Sequence, residues 1–312
     1  MNARGVKLAY VSALCNAVII GFSFLFTKLA LDYADPLDTL TYRFLFAGAV
    51  LAIPVCMGKI RVRPLRGKAL MCILLLGSMY PCSFFILQAY GLLHATSAEG
   101  GIIFAFTPIL TIFLAFLFLR ETATVLQQLS IALSVGGVVF IFIMKGSSID
   151  IVHLSGLLLL SLSGLALAGY SVLARSFLRH YPPMEVTCWL VGIGCVVFLA
   201  GSIAEHARRG TLDQLAAPLA HGPFILSILY LGIMASLVTA WTANYTLSKI
   251  KASQMSVFSN LSTVISVIAG AILLDEAIAY YHVAGCIAVL VGVLGANRPG
   301  SKKAMKPKNL SI

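Results

Sequence analysis

Ten apolar runs fill this chain, near residues 7–31, 37–57, 68–92, 95–119, 125–144, 153–177, 184–204, 223–247, 252–274 and 279–297. A helix needs roughly 20 mostly apolar residues to cross a bilayer. Backbone groups in hydrocarbon must also be satisfied within the segment, which a helix does and an open strand does not. The runs are long and continuous, unlike the short alternating segments of a barrel. The expected fold is therefore an all-α integral membrane protein with ten transmembrane helices. Only 11% of residues are charged, against about 25% in soluble domains, and little sequence remains for a globular domain. Arg4 and Lys7 precede the first run as in a signal peptide, but the run is too long and lacks a small-residue cleavage site. It is read as a retained span.

The 22 Lys and Arg outnumber the 11 Asp and Glu, for a net charge of +11. Their placement points away from nucleic acid. With the N-terminus inside, the outer loops hold only Lys28, Lys145, Arg208 and Arg209, and Arg43 lies within span two. The remaining basic residues fall on the inner side, which places both termini in the cytoplasm of a cell-membrane protein. The basic tail at 299–312 suits attraction to anionic lipid. Cys15, Cys56, Cys72, Cys82, Cys188, Cys195 and Cys286 all sit in apolar runs without a C-x-x-C pair. They read as packing residues, and no metal or other cofactor is expected.

The chain repeats itself. Residues 116–128 read FLFLRETATVLQQ and residues 271–283 read AILLDEAIAYYHV, so Glu121 and Glu276 punctuate two apolar runs alike. An offset of 155 keeps register from Gly67/Gly222 to Val138/Val293 and pairs Leu76 and Gly77 with Leu231 and Gly232. Before that block the offset is 147, through Pro36 and Pro183. The expected units are residues 1–146 and 147–298. Each holds five spans, an odd number, so the second must enter the membrane inverted. Corresponding loops then face opposite sides: His94 and Thr96 become Lys249 and Lys251, and Arg120 becomes Asp275. Inverted repeats of this kind build many secondary transporters, with the substrate site at the repeat interface.

At these residues the chain resembles the EamA-type family of the drug/metabolite transporter superfamily. TSAEGGIIFAFTPILTIFLAFLFLRE (96–121), the Gly136-Gly137 turn and YRFLFAGAVL (42–51) carry the resemblance. The second unit departs from it, with Thr263 opposite Pro108 and Leu190 opposite Arg43. The resemblance implies a ten-helix secondary transporter with a central cavity lined mainly by spans 1, 3, 4, 6, 8 and 9.

Embedded polar residues usually face a cavity or a partner helix. Span one carries Ser12, Asn16, Ser23 and Thr27 as a stripe, and span three offers Tyr80, Ser83, Gln88 and Tyr90. Span eight places Trp241, Asn244 and Tyr245 on one face, and span nine places Asn260 and Thr263 on another. The candidate substrate-binding residues are Asn16, Arg43, Tyr80, Glu99, Trp241, Asn244, Tyr245 and Asn260. Glu99 is read as a contact for a cationic group or a protonatable coupling site, and Arg43 as its orienting partner or a carboxylate contact. Interhelical hydrogen bonding is the competing reading for the uncharged polar residues, and a structural ion pair or snorkelling to the interface is the competing reading for Glu99 and Arg43. Pro81 and Pro108 interrupt spans three and four. Ala284, Ala288, Gly292 and Ala296 form a small-residue seam on span ten, suited to scaffolding or to a homodimer contact.

No G-x-x-x-x-G-K-[ST] loop occurs, which argues against ATP drive within the chain. All six histidines lie at span ends or in loops, and no paired carboxylates lie inside a span, so an intramembrane enzyme is disfavoured. The expected function is secondary transport of a small metabolite, an amino acid or similar solute, with export favoured by the resemblance. Import of a comparable solute, or a non-transporting subunit or receptor, is the alternative.

Overall fold

The computed structural model describes residues 3–60, 62–105, 107–114, 117–118, 124–145, 151–273 and 279–296. The chain opens with α1 (Ala3–Leu31) and α2 (Pro36–Cys56). Next come α3 (Lys68–Gly77), a π-helical turn at Ser78–Ser83, and α4 (Phe84–Leu93), which together form one long element. Then follow α5 (Ser97–Phe104), α6 (Thr107–Leu114), α7 (Val125–Lys145), α8 (Ile151–Phe177) and α9 (Pro183–Arg209). α10 (Gly222–Leu229), a π-helical stretch at Tyr230–Val238 and α11 (Thr239–Lys249) form a second long element, before α12 (Ala252–Leu273) and α13 (Tyr280–Ala296).

Seven helical stretches among the described residues are long and apolar enough to cross a membrane: Gly5–Leu31, Pro36–Cys56, Lys68–His94, Ser97–Leu114, Leu154–Phe177, Pro183–Arg209 and Gly222–Lys249. The expected spans at 125–144, 252–274 and 279–297 are helical too. Their apolar stretches run shorter, at Gln128–Gly137, Leu261–Leu273 and Val283–Gly292. Arg120, Glu121, Asp275 and Glu276, which carry the repeated punctuation, lie outside the described residues. So does the basic tail.

The helices pack in a consistent pattern. α1 lies against α11 and α12, while α8 lies against α4, α5 and α6. α2 packs on α9, α5 on α12, and α7 on α13. Small residues let backbones approach closely in such a bundle. A Cβ on Gly232 would sit 2.7 Å from the Arg43 carbonyl oxygen, so the π stretch touches the α2 backbone there. A Cβ on Gly77 would meet the Cδ1 of Ile193 on α9 at 2.7 Å. Two cross-helix hydrogen bonds tie the centre: Asn16 Nδ2 donates to the Thr239 carbonyl at 2.8 Å, and Ser163 Oγ donates to the Phe84 carbonyl at 2.9 Å.

Both interruptions sit mid-element and reorganise the helical bonding there. At the first, Tyr80 takes extended backbone angles (φ −141°, ψ 115°) beside Pro81, which lacks the N–H a helix needs. The second contains no proline. π segments inside α-helices often mark functional positions.

Candidate functional site

A narrow cavity of about 60 Å³ lies where the two interrupted elements face each other. α1 contributes Asn16 and Ser23, α2 contributes Arg43, and α4 contributes Phe84, Phe85 and Gln88. Tyr80 enters from the first π turn and Ala235 from the second, with Phe104 and Thr107 on the α5–α6 side. Tyr170, Thr239 and Ser262 add to the wall from α8, α11 and α12. The lining thus comes from the helices the resemblance implied, with α2 added through Arg43. Its rings are interlocked: Tyr80 lies 4.9 Å from Tyr170 and 5.2 Å from Phe85, and Phe84 meets Phe104 edge-on at 5.6 Å. Mostly apolar walls with a few placed polar groups are what small-molecule sites are made of.

Arg43 is 2% exposed, the largest of the fully buried side chains. Its Nε donates to Ser236 Oγ at 2.6 Å and its Nη2 to the Ala235 carbonyl at 2.9 Å, both on the second π stretch. The guanidinium carbon stands 4.0 Å over the Phe85 ring, a cation–π arrangement that gains strength out of water. Among the described residues, no carboxylate lines the cavity.

Asn16, Arg43 and Tyr80 are the sequence candidates that meet at the cavity. Asn16 uses both amide hydrogens, one on the Thr239 carbonyl and one on Thr242 Oγ1 at 3.0 Å. Asn244 is fully buried one layer back: its Oδ1 accepts from the Tyr170 hydroxyl and its Nδ2 donates to Thr187 Oγ1 at 2.9 Å. It holds the cavity residue Tyr170 in place. Trp241 is 43% exposed and Tyr245 reaches the Gly5 carbonyl at 3.5 Å; neither lines the cavity. Glu99 does not line it either. Its Oε2 accepts from the Thr96 N–H at 2.9 Å while Thr96 Oγ1 accepts from the Glu99 N–H at 3.1 Å, closing a capping box at the start of α5. The Asn260 side chain lies outside the described residues.

Tyr170 was not a sequence candidate, yet it stands between Tyr80 and Asn244. The offset of 147 pairs it with Ser23, and pairs Ser163 with Asn16. Carrying the span-one stripe onto span six would have found both. Thr107 was also missed. It is 2% exposed and its Oγ1 has no hydrogen-bond partner among the described residues.

A second cavity of about 240 Å³ opens at the ends of α2, α4 and α9. Its charged groups are matched to one another: His206 Nε2 lies 2.9 Å from Asp38 Oδ2, and Arg209 bridges Asp35 at 2.9 Å and Glu205 at 2.8 Å. Internal pairing makes this a clasp between α2 and α9, so the central cavity is the stronger candidate.

A bundle of long apolar helices with an aromatic and cationic cavity between its interrupted helices is suited to binding a small solute within a membrane. The chain belongs to the EamA-like transporter family, whose model matches residues 7–143 and 154–298. It is 41% identical over 299 residues to the "Uncharacterized transporter YcxC" of Bacillus subtilis (strain 168), covering 96% of each chain. An "Uncharacterized transporter" of Archaeoglobus fulgidus is 27% identical over 276 residues, covering 88% of this chain and 92% of the relative. The "Probable terminal-alkyne amino-acid exporter" of Streptantibioticus cattleyicolor is 21% identical over 250 residues, 80% of each chain. A solved crystal structure shares the fold with a TM-score of 0.71 at 17% identity, covering 95% of this chain and 97% of its own.

Proposed function

We propose that this chain is a secondary transporter of the cytoplasmic membrane that exports an amino acid or a similar small solute. Two inverted five-helix halves, residues 1–146 and 147–298, rock about the central cavity and open it to each side in turn. Both termini lie in the cytoplasm. Asn16, Arg43 and Tyr80 contact the solute, Asn244 positions the wall through Tyr170, and Glu99 serves the start of α5.

One observation carries the reading: the Asn16–Thr239 and Ser163–Phe84 hydrogen bonds are images of each other. The sequence offsets pair Asn16 with Ser163 and Phe84 with Thr239. Exchange of the two halves therefore turns one bond into the other, as a two-fold axis in the membrane plane requires of inverted repeats. The π segments obey the same relation, since residues 78–83 shifted by 155 fall within Tyr230–Val238. Helices interrupted at corresponding positions of two halves mark transporter binding sites. The cavity's 60 Å³ is far below the roughly 300–1,000 Å³ of ligand sites. On this reading the cavity must widen to load a solute. The named amino-acid exporter among the relatives supports the solute class and the direction.

Reconstitution of the purified protein alone into proteoliposomes tests this. Efflux of preloaded labelled amino acids should exceed that from protein-free vesicles and saturate with solute. Efflux equal to the protein-free control across the common amino acids would remove the proposed solute class.

A further inference from the structure

Resting on the transporter reading, the geometry points to Arg43 as the anion-recognition residue of the central cavity, and to a carboxylate as the group it reads on the solute. A guanidinium has five N–H donors and stays charged in a protein. Two of them are used on Ser236 and Ala235, which leaves three with no protein acceptor among the described residues. No carboxylate there pairs with Arg43, and none lines the cavity. A permanent charge buried in this way is unfavourable until an anion joins it.

The scaffold does not explain the charge. The repeat-equivalent position is Leu190, which is 1% exposed within the main hydrophobic cluster. Close contact of α2 with the second π stretch is already made by Gly232 against the α2 backbone. Among the described residues that line the cavity, Arg43 is the charged one, and its repeat-equivalent position is uncharged. Thr107 supplies an independent sign of a polar occupant, as a buried hydroxyl on the same wall without a partner among the described residues. A planar carboxylate suits the guanidinium fork. Tyr80, Phe84 and Phe104 offer rings to an apolar body beside it.

Thermal unfolding of detergent-purified wild type, Arg43→Lys and Arg43→Met tests the assignment. The probes are the common L-amino acids, each beside its amide and its decarboxylated amine, with inorganic phosphate as the alternative anion. At least one amino acid should raise the wild-type midpoint by several degrees while its amide and amine do not. Arg43→Lys should keep a reduced response and Arg43→Met none. Without solute, Arg43→Met should unfold at or above the wild-type midpoint, because it removes a buried charge that no carboxylate among the described residues pairs. Equal stabilisation by amide or amine, stabilisation by phosphate in place of the acids, or an undiminished response in Arg43→Met overturns the assignment. So does a solute-free Arg43→Met midpoint well below wild type, the mark of a structural arginine. If no amino acid, amide or amine stabilises the wild type, the amino-acid class of the proposed function fails. The solute-free comparison then decides Arg43 alone: an unchanged or raised midpoint keeps the anion site, and a fallen one removes it.

Discussion

Asn16 on α1 donates to the carbonyl oxygen of Thr239 at the start of α11, 2.8 Å away and 223 residues along the chain. Its counterpart, Ser163 to Phe84, makes the same connection with the halves exchanged. If both bonds hold the closed cavity, the shorter side chain of the second should serve in the first. Asn16→Ser should retain most of the stability and lose only the bond to Thr242. Asn16→Val should lower stability by about 0.5–1.5 kcal/mol, the usual range for a hydrogen bond between membrane helices. Thermal unfolding of the two variants side by side checks this, and equal losses would deny the equivalence.

Gly77 and Gly232, paired by the 155-residue offset, have unequal neighbours. A Cβ at 232 runs into backbone, the Arg43 carbonyl oxygen at 2.7 Å and Ala47 N at 3.3 Å. A Cβ at 77 meets the tip of Ile193, which can turn aside. Gly232→Ala should therefore cost about 1–3 kcal/mol and Gly77→Ala less than about 1 kcal/mol. Unfolding midpoints of the two variants give the order directly.

Glu99 offers a clean separation between cap and coupling site. Glutamine at the third helical position still accepts from the Thr96 N–H, so Glu99→Gln should keep wild-type stability, efflux rate and pH profile. Glu99→Ala loses that acceptor and should cost about 0.5–2 kcal/mol, the range for a helix cap. A flattened pH dependence of efflux in Glu99→Gln would instead return Glu99 to the transport cycle.

Seven of the ten expected spans were legible by length and apolarity, and α1, α2, α8 and α9 fall almost where the apolar runs do. The first helix interruption could be anticipated from Pro81. The second, at Tyr230–Val238, has no proline and is visible only once the 155-residue offset is carried across from the first. Arg43 stood out as the charge embedded in span two, but its partners on the second π stretch are some 190 residues away and no local pattern announces them. Glu99 drew attention by its charge inside a greasy segment, while the local signature Thr96-x-x-Glu99 also spells a capping box, which the structure forms. Trp241, Asn244 and Tyr245 share a face by helical spacing, yet α11 turns Asn244 inward and leaves Trp241 exposed. Spacing fixes neighbours on one helix; the packing of the others decides which neighbour is buried.

The inversion of the two halves is the claim on which the transport account stands, and labelling of single cysteines tests it most directly. His94 and Lys249, paired by the 155-residue offset, lie at the ends of α4 and α11, and both are exposed. In a background with the seven native cysteines replaced by alanine, His94→Cys should react with a membrane-impermeant maleimide on intact cells. Lys249→Cys should react only after permeabilisation. Reaction of both from the same side of the membrane would contradict the inversion and, with it, the alternating cavity.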